Sequence, residues 1–194
     1  HTVAMMLALA RHIPQADRST HEGKWEKTKY LGVEVARKTI GIIGCGNVGS
    51  IVADRAQGMK MKVLSYDPYL SEEYAKDLGI EKVSLDDLLA RSDFVTLHVP
   101  LTEKTREIIN CESIKKMKVG ARLINCARGS LVNEDALKQA LKNGHLAGAA
   151  VDVFSQEPPG RIGLLQLDNL IATPHLGAST SEAQENVAVQ IAEQ

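Results

Sequence analysis

The sequence predicts an α/β fold: a doubly wound parallel sheet with flanking helices. Three observations predict it. Short β-rich runs alternate with helical patterns through the centre of the chain, a glycine-rich turn joins the first run to a helical pattern, and both ends are helical or irregular. Strands that alternate with helices form βαβ units, and right-handed crossovers then place helices on both faces of the sheet.

The first element is an apolar run at residues 3–10, which is far too short to cross a bilayer and predicts a buried helix, kinked near Pro14. Six strands are expected next, at residues 39–43, 62–66, 94–99, 121–126, 148–153 and 170–173. Helices are expected between them at residues 50–57, 85–91 and 134–142. Ser84 and Asn133 are suited to cap the last two helices. An amphipathic pattern occupies residues 181–194, so both ends of the chain resemble pieces of a longer protein.

Composition excludes several classes of protein. Hydrophobic residues make up 44% and charged residues 24% of the 194 residues, as is ordinary for a globular chain with one core. The net charge of −1 provides no basic excess for nucleic acid. Cys45, Cys111 and Cys126 are too widely spaced for a disulfide framework or a metal-binding pair, which favours a reducing cytoplasm. No histidine has metal-ligand spacing, and His98, inside an apolar strand, is expected to be buried and neutral.

The glycine-rich turn spans residues 44–49 with the sequence GCGNVG, which matches the spacing GxGxxG. The spacing alone is a weak signal, but here it follows a predicted strand and opens a predicted helix. Gly44 permits a tight turn, Gly46 lets the backbone approach a pyrophosphate, and Gly49 lets the helix pack on the strand. The turn therefore favours a Rossmann-type dinucleotide site at a helix N-terminus.

Asp67 follows the second predicted strand at the interval expected for the acid that binds the adenosine ribose. A carboxylate there accepts hydrogen bonds from both ribose hydroxyls of NAD and repels the additional phosphate of NADP. The alternative is that Asp67 merely forms a turn with Pro68. The order of strand, glycines, helix, strand and acid favours NAD binding.

Three chemically capable side chains follow later strands, at the sheet edge where ligands bind in such folds. They are Arg128, Glu157 and His175. An imidazole accepts a hydroxyl proton near neutral pH, a carboxylate fixes its tautomer, and a guanidinium binds a substrate carboxylate. The set suits oxidation of a 2-hydroxy acid. Taken one at a time, each residue is also compatible with a solvated loop charge or a structural histidine.

Several stretches carry a family resemblance. They are LARHIPQA at residues 9–16, NCARG at 125–129 and PHLGAST at 174–180. With the glycine turn, they make the chain resemble the D-isomer-specific 2-hydroxyacid dehydrogenases over nearly its whole length. The resemblance implies that residues 1–194 form an NAD-binding domain with its sheet at residues 39–173. It also implies that residues 1–20 and 181–194 are helices leading to a separate substrate domain that this chain lacks.

The resemblance further implies an activity and roles for single residues. The activity is the reversible NAD-linked oxidation of 3-phosphoglycerate to 3-phosphohydroxypyruvate, a step of L-serine biosynthesis. His175 becomes the acid–base, Glu157 its partner, and Arg128 the anchor of the substrate carboxylate. The implied cofactor contacts are Gly44, Gly46, Asn47, Val48, Gly49, Asp67, Val99, Pro100, Cys126, Ala127, Arg128, Asp152, His175, Leu176, Gly177 and Ala178.

The expected partners are a small-molecule substrate and further copies of the chain, since the family forms dimers through this domain. Trp25 is expected to pack in the amino-terminal flank and to serve that contact. With one wall of the cleft missing, the chain alone is expected to bind NAD with little or no turnover. Alternatives are a relative acting on glycerate, glyoxylate or lactate, or an NAD-sensing, corepressor-like binding module. Asp67 argues against an NADP reductase.

Overall fold

A seven-stranded, wholly parallel sheet organises residues 1–183 and 185, the part of the chain that this computed structural model describes. The strands are β1 (Thr39–Ile43), β2 (Lys62–Tyr66), β3 (Glu81–Lys82), β4 (Phe94–Leu97), β5 (Ala121–Asn125), β6 (Leu146–Val151) and β7 (Leu170–Ala172). Their order is β3-β2-β1-β4-β5-β6-β7. From β1 the chain adds strands toward one edge of the sheet as far as β3, and from β4 it adds strands toward the other edge. The carboxyl ends of the neighbouring β1 and β4 therefore border the crevice where such folds bind ligands.

Helices cover both faces of the sheet, as the alternating pattern predicts. They are α1 (Thr2–Arg11), α2 (Ile13–His21), α3 (Asn47–Gly58), α4 (Glu72–Asp77), α5 (Leu85–Arg91), α6 (Cys111–Lys116) and α7 (Glu134–Lys142). Side chains of α1, α3 and α4 pack on one face of the sheet, and those of α5, α6 and α7 pack on the other. Both cores contain fully buried β-branched and leucine side chains, which accounts for the continuous apolar character of the central strands.

The sequence predicts β1 and β2 with their observed bounds. It also predicts the two helix caps: α5 begins after Ser84 and α7 after Asn133, and each capping side chain accepts a hydrogen bond from the first turn of its helix. Four strands end earlier than predicted. β4, β5, β6 and β7 stop at Leu97, Asn125, Val151 and Ala172, because the residues that follow turn away to build the loops at the carboxyl edge.

Other differences arise where the apolar pattern is weak. The polar two-residue β3 and the short helices α4 and α6 were not predicted. α3 begins at Asn47, three residues before the predicted start. The kink expected near Pro14 is a complete break at His12, which adopts a left-handed conformation with φ 54°. Pro14 then lies in the first turn of α2, where a missing N–H costs nothing.

The two ends of the chain had specific predictions. Trp25 does not pack into the flank: its side chain is 85% exposed, and Leu31 on the same segment is 84% exposed. The prediction of internal packing for Trp25 is therefore wrong. At the other end, residues 181–183 and 185 are helical. The remainder of the predicted helix at 181–194 lies outside the described residues.

Candidate active site

The predicted functional residues lie at the carboxyl edge of the sheet. The glycine turn follows β1, Asp67 follows β2, and Arg128 follows β5. Glu157 lies in the loop after β6, and His175 follows β7. In parallel strands these ends face the same side, so residues that are distant in sequence meet there.

The glycine turn has the shape that a pyrophosphate requires. Gly44 adopts φ +92°, and a Cβ there would lie 2.6 Å from a Val99 methyl group. A Cβ at Gly49 would overlap the carbonyl oxygen of Gly44, whereas one at Gly46 would meet open space. No side chain caps α3, so its first N–H groups face that space. Open backbone at an uncapped helix N-terminus fits the phosphates of a dinucleotide.

The carboxylate of Asp67 is fixed against this turn by two backbone N–H groups. One oxygen accepts a hydrogen bond from Cys45 N at 2.8 Å, and the other accepts from Tyr69 N at 2.8 Å. Each carboxylate oxygen retains a lone pair for a further donor. The arrangement fits the two hydroxyls of an adenosine ribose.

The end of β4 forms another wall of the crevice. His98 N donates to Ile43 O at 2.7 Å, which keeps the chain beside the glycine turn for one residue beyond the strand. Burial lowers the pKa of His98 to about 4, and its Nε2 lies 3.0 Å from the Thr96 hydroxyl. This histidine is neutral at physiological pH, as the sequence predicts, but it lies one residue after β4 and is partly exposed, whereas the sequence predicts a buried position inside the strand.

The loop that carries Arg128 is ordered by Asn125, a residue that sequence analysis did not single out. Asn125 is buried at the end of β5, and its amide donates to Arg128 O at 2.9 Å and accepts from Ala127 N at 3.1 Å. The exposed guanidinium of Arg128 donates once, to Ala127 O at 2.7 Å. Its remaining N–H groups are directed to solvent and can bind a carboxylate. The sequence signal for Asn125 is an amide that directly follows the apolar Leu123 and Ile124 at the end of a predicted strand.

Glu157 and His175 form a direct pair, with 2.7 Å between Glu157 Oε2 and His175 Nδ1. The other oxygen of Glu157 accepts from Phe154 N at 3.0 Å. The hydrogen bonds from His175 and from Phe154 N hold the pKa of Glu157 below its ordinary value, so this group is a carboxylate at neutral pH. Because Nδ1 faces Glu157, Nε2 is left for a substrate proton.

Asp152 holds the backbone of the histidine segment. It is fully buried, and one oxygen accepts from the Thr173 hydroxyl at 2.5 Å and from Leu176 N at 2.7 Å, while the other accepts from Gly177 N at 2.8 Å. Its carbonyl accepts from His175 N at 2.9 Å. These bonds stabilise His175 at φ 56°, a left-handed conformation that is uncommon for a residue with a side chain.

One cavity of about 440 Å³ is lined by residues from three of these segments. Its lining includes Val48 of the glycine turn, Cys126 and Arg128 after β5, and His175 and Gly177 after β7. The guanidinium, the imidazole and the dinucleotide turn therefore share one space. This juxtaposition places a guanidinium and an imidazole beside the predicted dinucleotide turn.

The cysteines near the site do not resemble nucleophiles. Burial raises the pKa of Cys126 to about 11 and also raises the pKa of Cys45. Both thiols are therefore protonated at neutral pH. Within residues 1–183 and 185, no cluster of three metal-ligating side chains occurs. Among the helices of that same part, none has the length and apolarity needed to span a bilayer.

Comparison with known proteins gives a consistent result. Residues 3–177 match the family model described as the D-isomer specific 2-hydroxyacid dehydrogenase, NAD binding domain. The chain is 52% identical to D-3-phosphoglycerate dehydrogenase of Synechocystis sp. and 50% identical to that of Bacillus subtilis, aligning over all of its own length but only 35% and 37% of theirs. The chain thus spans about a third of the length of these curated relatives.

Other relatives have different names. The chain is 50% identical to the hydroxypyruvate reductase of Thermotoga maritima, with 98% of the chain and 62% of that protein aligned. Among solved structures, D-lactate dehydrogenase of Aquifex aeolicus in complex with NAD and lactic acid superposes with a TM-score of 0.89 at 36% identity, covering 100% of this chain and 64% of that one.

Proposed function

Because the chain belongs to the D-isomer-specific 2-hydroxyacid dehydrogenases as their NAD-binding domain, we propose that it forms part of a D-3-phosphoglycerate dehydrogenase. The reaction is the reversible oxidation of 3-phosphoglycerate to 3-phosphohydroxypyruvate, a step of L-serine biosynthesis. The observation that carries the proposed chemistry is the 2.7 Å pair of Glu157 and His175, since His175 lines the same cavity as Arg128 and the glycine turn.

In the proposed mechanism, the glycine turn and Asp67 would hold NAD, which when bound would supply the acceptor for the hydride lost from C2 of the substrate. Arg128 binds the substrate carboxylate through its N–H groups and so fixes the orientation of C2 in the cavity. His175 Nε2 takes the hydroxyl proton as the C2–O bond becomes a carbonyl. Glu157 stabilises the resulting imidazolium through Nδ1. In the reverse direction His175 returns the proton to the carbonyl oxygen.

The proposed cofactor contacts follow the same edge of the sheet. The glycine turn holds the pyrophosphate, Asp67 the adenosine ribose, and Val99 with Pro100 the next stretch of the crevice. Near the nicotinamide, the proposed contacts are Cys126, Ala127, Arg128, Asp152, His175, Leu176, Gly177 and Ala178. Asp152 also has a structural role, because both of its carboxylate oxygens accept hydrogen bonds from the residues around His175.

A competition assay on the full-length enzyme tests the substrate. We expect 3-phosphoglycerate to outcompete lactate and glycerate as substrates with NAD, and His175→Asn to abolish turnover while NAD binding persists. A preference for glycerate or lactate would assign the enzyme a different substrate within the family. The Thermotoga maritima relative, a hydroxypyruvate reductase, shows that relatives of similar identity have other names. Binding of NAD without turnover of any hydroxy acid would favour the corepressor-like module.

The domain boundaries and the activity of the chain alone belong to the same proposal. We propose that residues 1–194 belong to the cofactor domain and that a separate substrate domain supplies the opposite wall of the cleft. The side chains of His175 and Glu157 are 49% and 38% exposed, which supports the need for that wall. We expect this chain to bind NAD but to turn over far more slowly than the full-length enzyme, which a parallel assay of both would check.

A homodimer or larger homo-oligomer is also proposed. The exposed Trp25 and Leu31 favour burial against a second copy, because large apolar side chains in this position otherwise face water. A monomer by light scattering at high protein concentration would contradict the assembly. The three free cysteines fit a reducing cytoplasm, which imaging of the tagged protein in its own cells would check.

A further inference from the structure

The first turn of α7 reaches the loop that carries Glu157. Glu134 Oε1 accepts a hydrogen bond from Ser155 N at 2.7 Å, across 21 residues of sequence. The side chain of Glu134 is partly buried, whereas the adjacent Asp135 is exposed. Glu134 and Asp135 both lie in the first turn of α7, where a negative charge from either acid is favourable to the helix dipole. The contact with Ser155 requires another explanation.

Three contacts restrain the backbone at Phe154 and Ser155, two of them on the Phe154–Ser155 peptide and one on the preceding N–H. Phe154 N donates to Glu157 Oε1 at 3.0 Å, and Ser155 N donates to Glu134. Gly129 packs flat against the same peptide: a Cβ at Gly129 would overlap the carbonyl carbon of Phe154. Because Gly129 directly follows Arg128, this peptide lies between the loop of the guanidinium and the loop of the acid–base pair.

We propose that Glu134 is a positioning residue for the proton-transfer pair. By holding Ser155 N, it fixes the peptide whose neighbouring N–H orients the carboxylate of Glu157, and Glu157 in turn orients the His175 imidazole. With Gly129 beneath the same peptide, the arrangement also keeps the Arg128 loop in register with the pair. The role in catalysis rests on the proposed function, but the positioning of Glu157 does not.

Two effects of Glu134 on Glu157 have opposite signs, which makes the proposal testable. A negative charge on Glu134 can only disfavour the carboxylate form of Glu157, so loss of the charge alone would leave the pKa of Glu157 at or below its wild-type value. As a hydrogen-bond acceptor, Glu134 keeps the Phe154 N–H and the imidazole aligned on Glu157. Loss of that alignment would raise the pKa of Glu157 toward its ordinary value.

The experiment is a carboxyl ¹³C NMR titration of Glu157 in this chain, with neither substrate nor NAD. Glu134→Ala removes both charge and acceptor, Glu134→Gln removes only the charge, and Asp135→Ala is the matched control on the same turn. We expect Glu134→Ala to raise the pKa of Glu157. Glu134→Gln and Asp135→Ala should leave it at or below the wild-type value. Glu134→Asp, whose shorter side chain falls away from Ser155, should behave like Glu134→Ala if the alanine variant does not fold.

An unchanged or lowered pKa of Glu157 in Glu134→Ala would overturn the proposal, as would an equal rise in Asp135→Ala. In the full-length enzyme we expect Glu134→Ala to reduce kcat on the order of tenfold with KM for NAD unchanged, and Glu134→Gln to restore most of the rate. If the titration gives the expected result while no hydroxy acid is turned over by the wild type, the proposed function fails and the positioning of Glu157 stands.

Discussion

Acidification should destabilise this domain through one histidine at the edge of the cofactor crevice. Burial lowers the pKa of His98 from 6.5 to about 4, so between these values the unfolded chain binds a proton that the folded chain does not. Stability therefore falls as the pH drops from about 6.5 toward 4. The full difference corresponds to roughly 3 kcal/mol, and the part lost between pH 7 and pH 5 is about 2 kcal/mol.

Urea denaturation of the wild type and of His98→Gln at pH 7, 6 and 5 measures this contribution. Gln does not titrate, and its amide reaches toward the Thr96 hydroxyl that His98 Nε2 contacts. The substitution shifts the free energy of unfolding by a constant, so the pH-dependent part of the difference isolates His98. We expect the wild type to lose about 2 kcal/mol more than the variant from pH 7 to pH 5. His21→Gln, at the exposed end of α2, is the control and should follow the wild type. Equal pH dependence in His98→Gln and the wild type would refute the assignment of a buried, neutral imidazole.

Three further predictions concern the same edge of the sheet. Calorimetry should show tighter binding of NAD than of NADP, and Asp67→Ala should reduce the difference between the two affinities. Equal affinities of the wild type for NAD and NADP would overturn the role of Asp67. Thr173→Val should lower the free energy of unfolding by about 2 kcal/mol, because it removes a donor to the buried Asp152 carboxylate. Thr173→Ser should retain that stability. An unchanged free energy of unfolding in Thr173→Val would contradict the prediction. A thiol reagent at pH 8 should modify exposed Cys111 well before Cys126, whose pKa burial raises to about 11. Equal rates for these two thiols would exclude that environment.

Sequence predicts the parts of this protein whose cause is local. β1, β2 and the capped helix α7 follow from apolar runs and from a capping residue next to each helix start. The glycine turn is predictable because only glycine, which has no Cβ, allows the backbone to come this close to neighbouring atoms. The family resemblance implies the pairing of Glu157 with His175, which lie 2.7 Å apart, whereas strand-end positions alone predict only suitable side chains near one another.

The remainder depends on contacts between distant segments, which leave little trace in composition. Asn125 orders the Arg128 loop through bonds that exist only after β5 has been buried. Glu134 has the sequence context of any acid in a first helical turn, and only the folded chain distinguishes it from Asp135. Trp25 illustrates the opposite error, since a large apolar side chain predicts burial but does not specify which molecule provides it.

The left-handed backbone of His175 has a consequence for substitutions at this position. The conformation is maintained by the Asp152 carbonyl and carboxylate, which contact main-chain atoms and not the imidazole. Replacing His175 by another residue that is not branched at Cβ would thus leave the surrounding backbone unchanged. Valine or isoleucine would destabilise it, because β-branched side chains clash with a left-handed backbone. Substitution of the imidazole is therefore expected to leave the fold intact, so that the fate of this side chain and the fate of the architecture are separable.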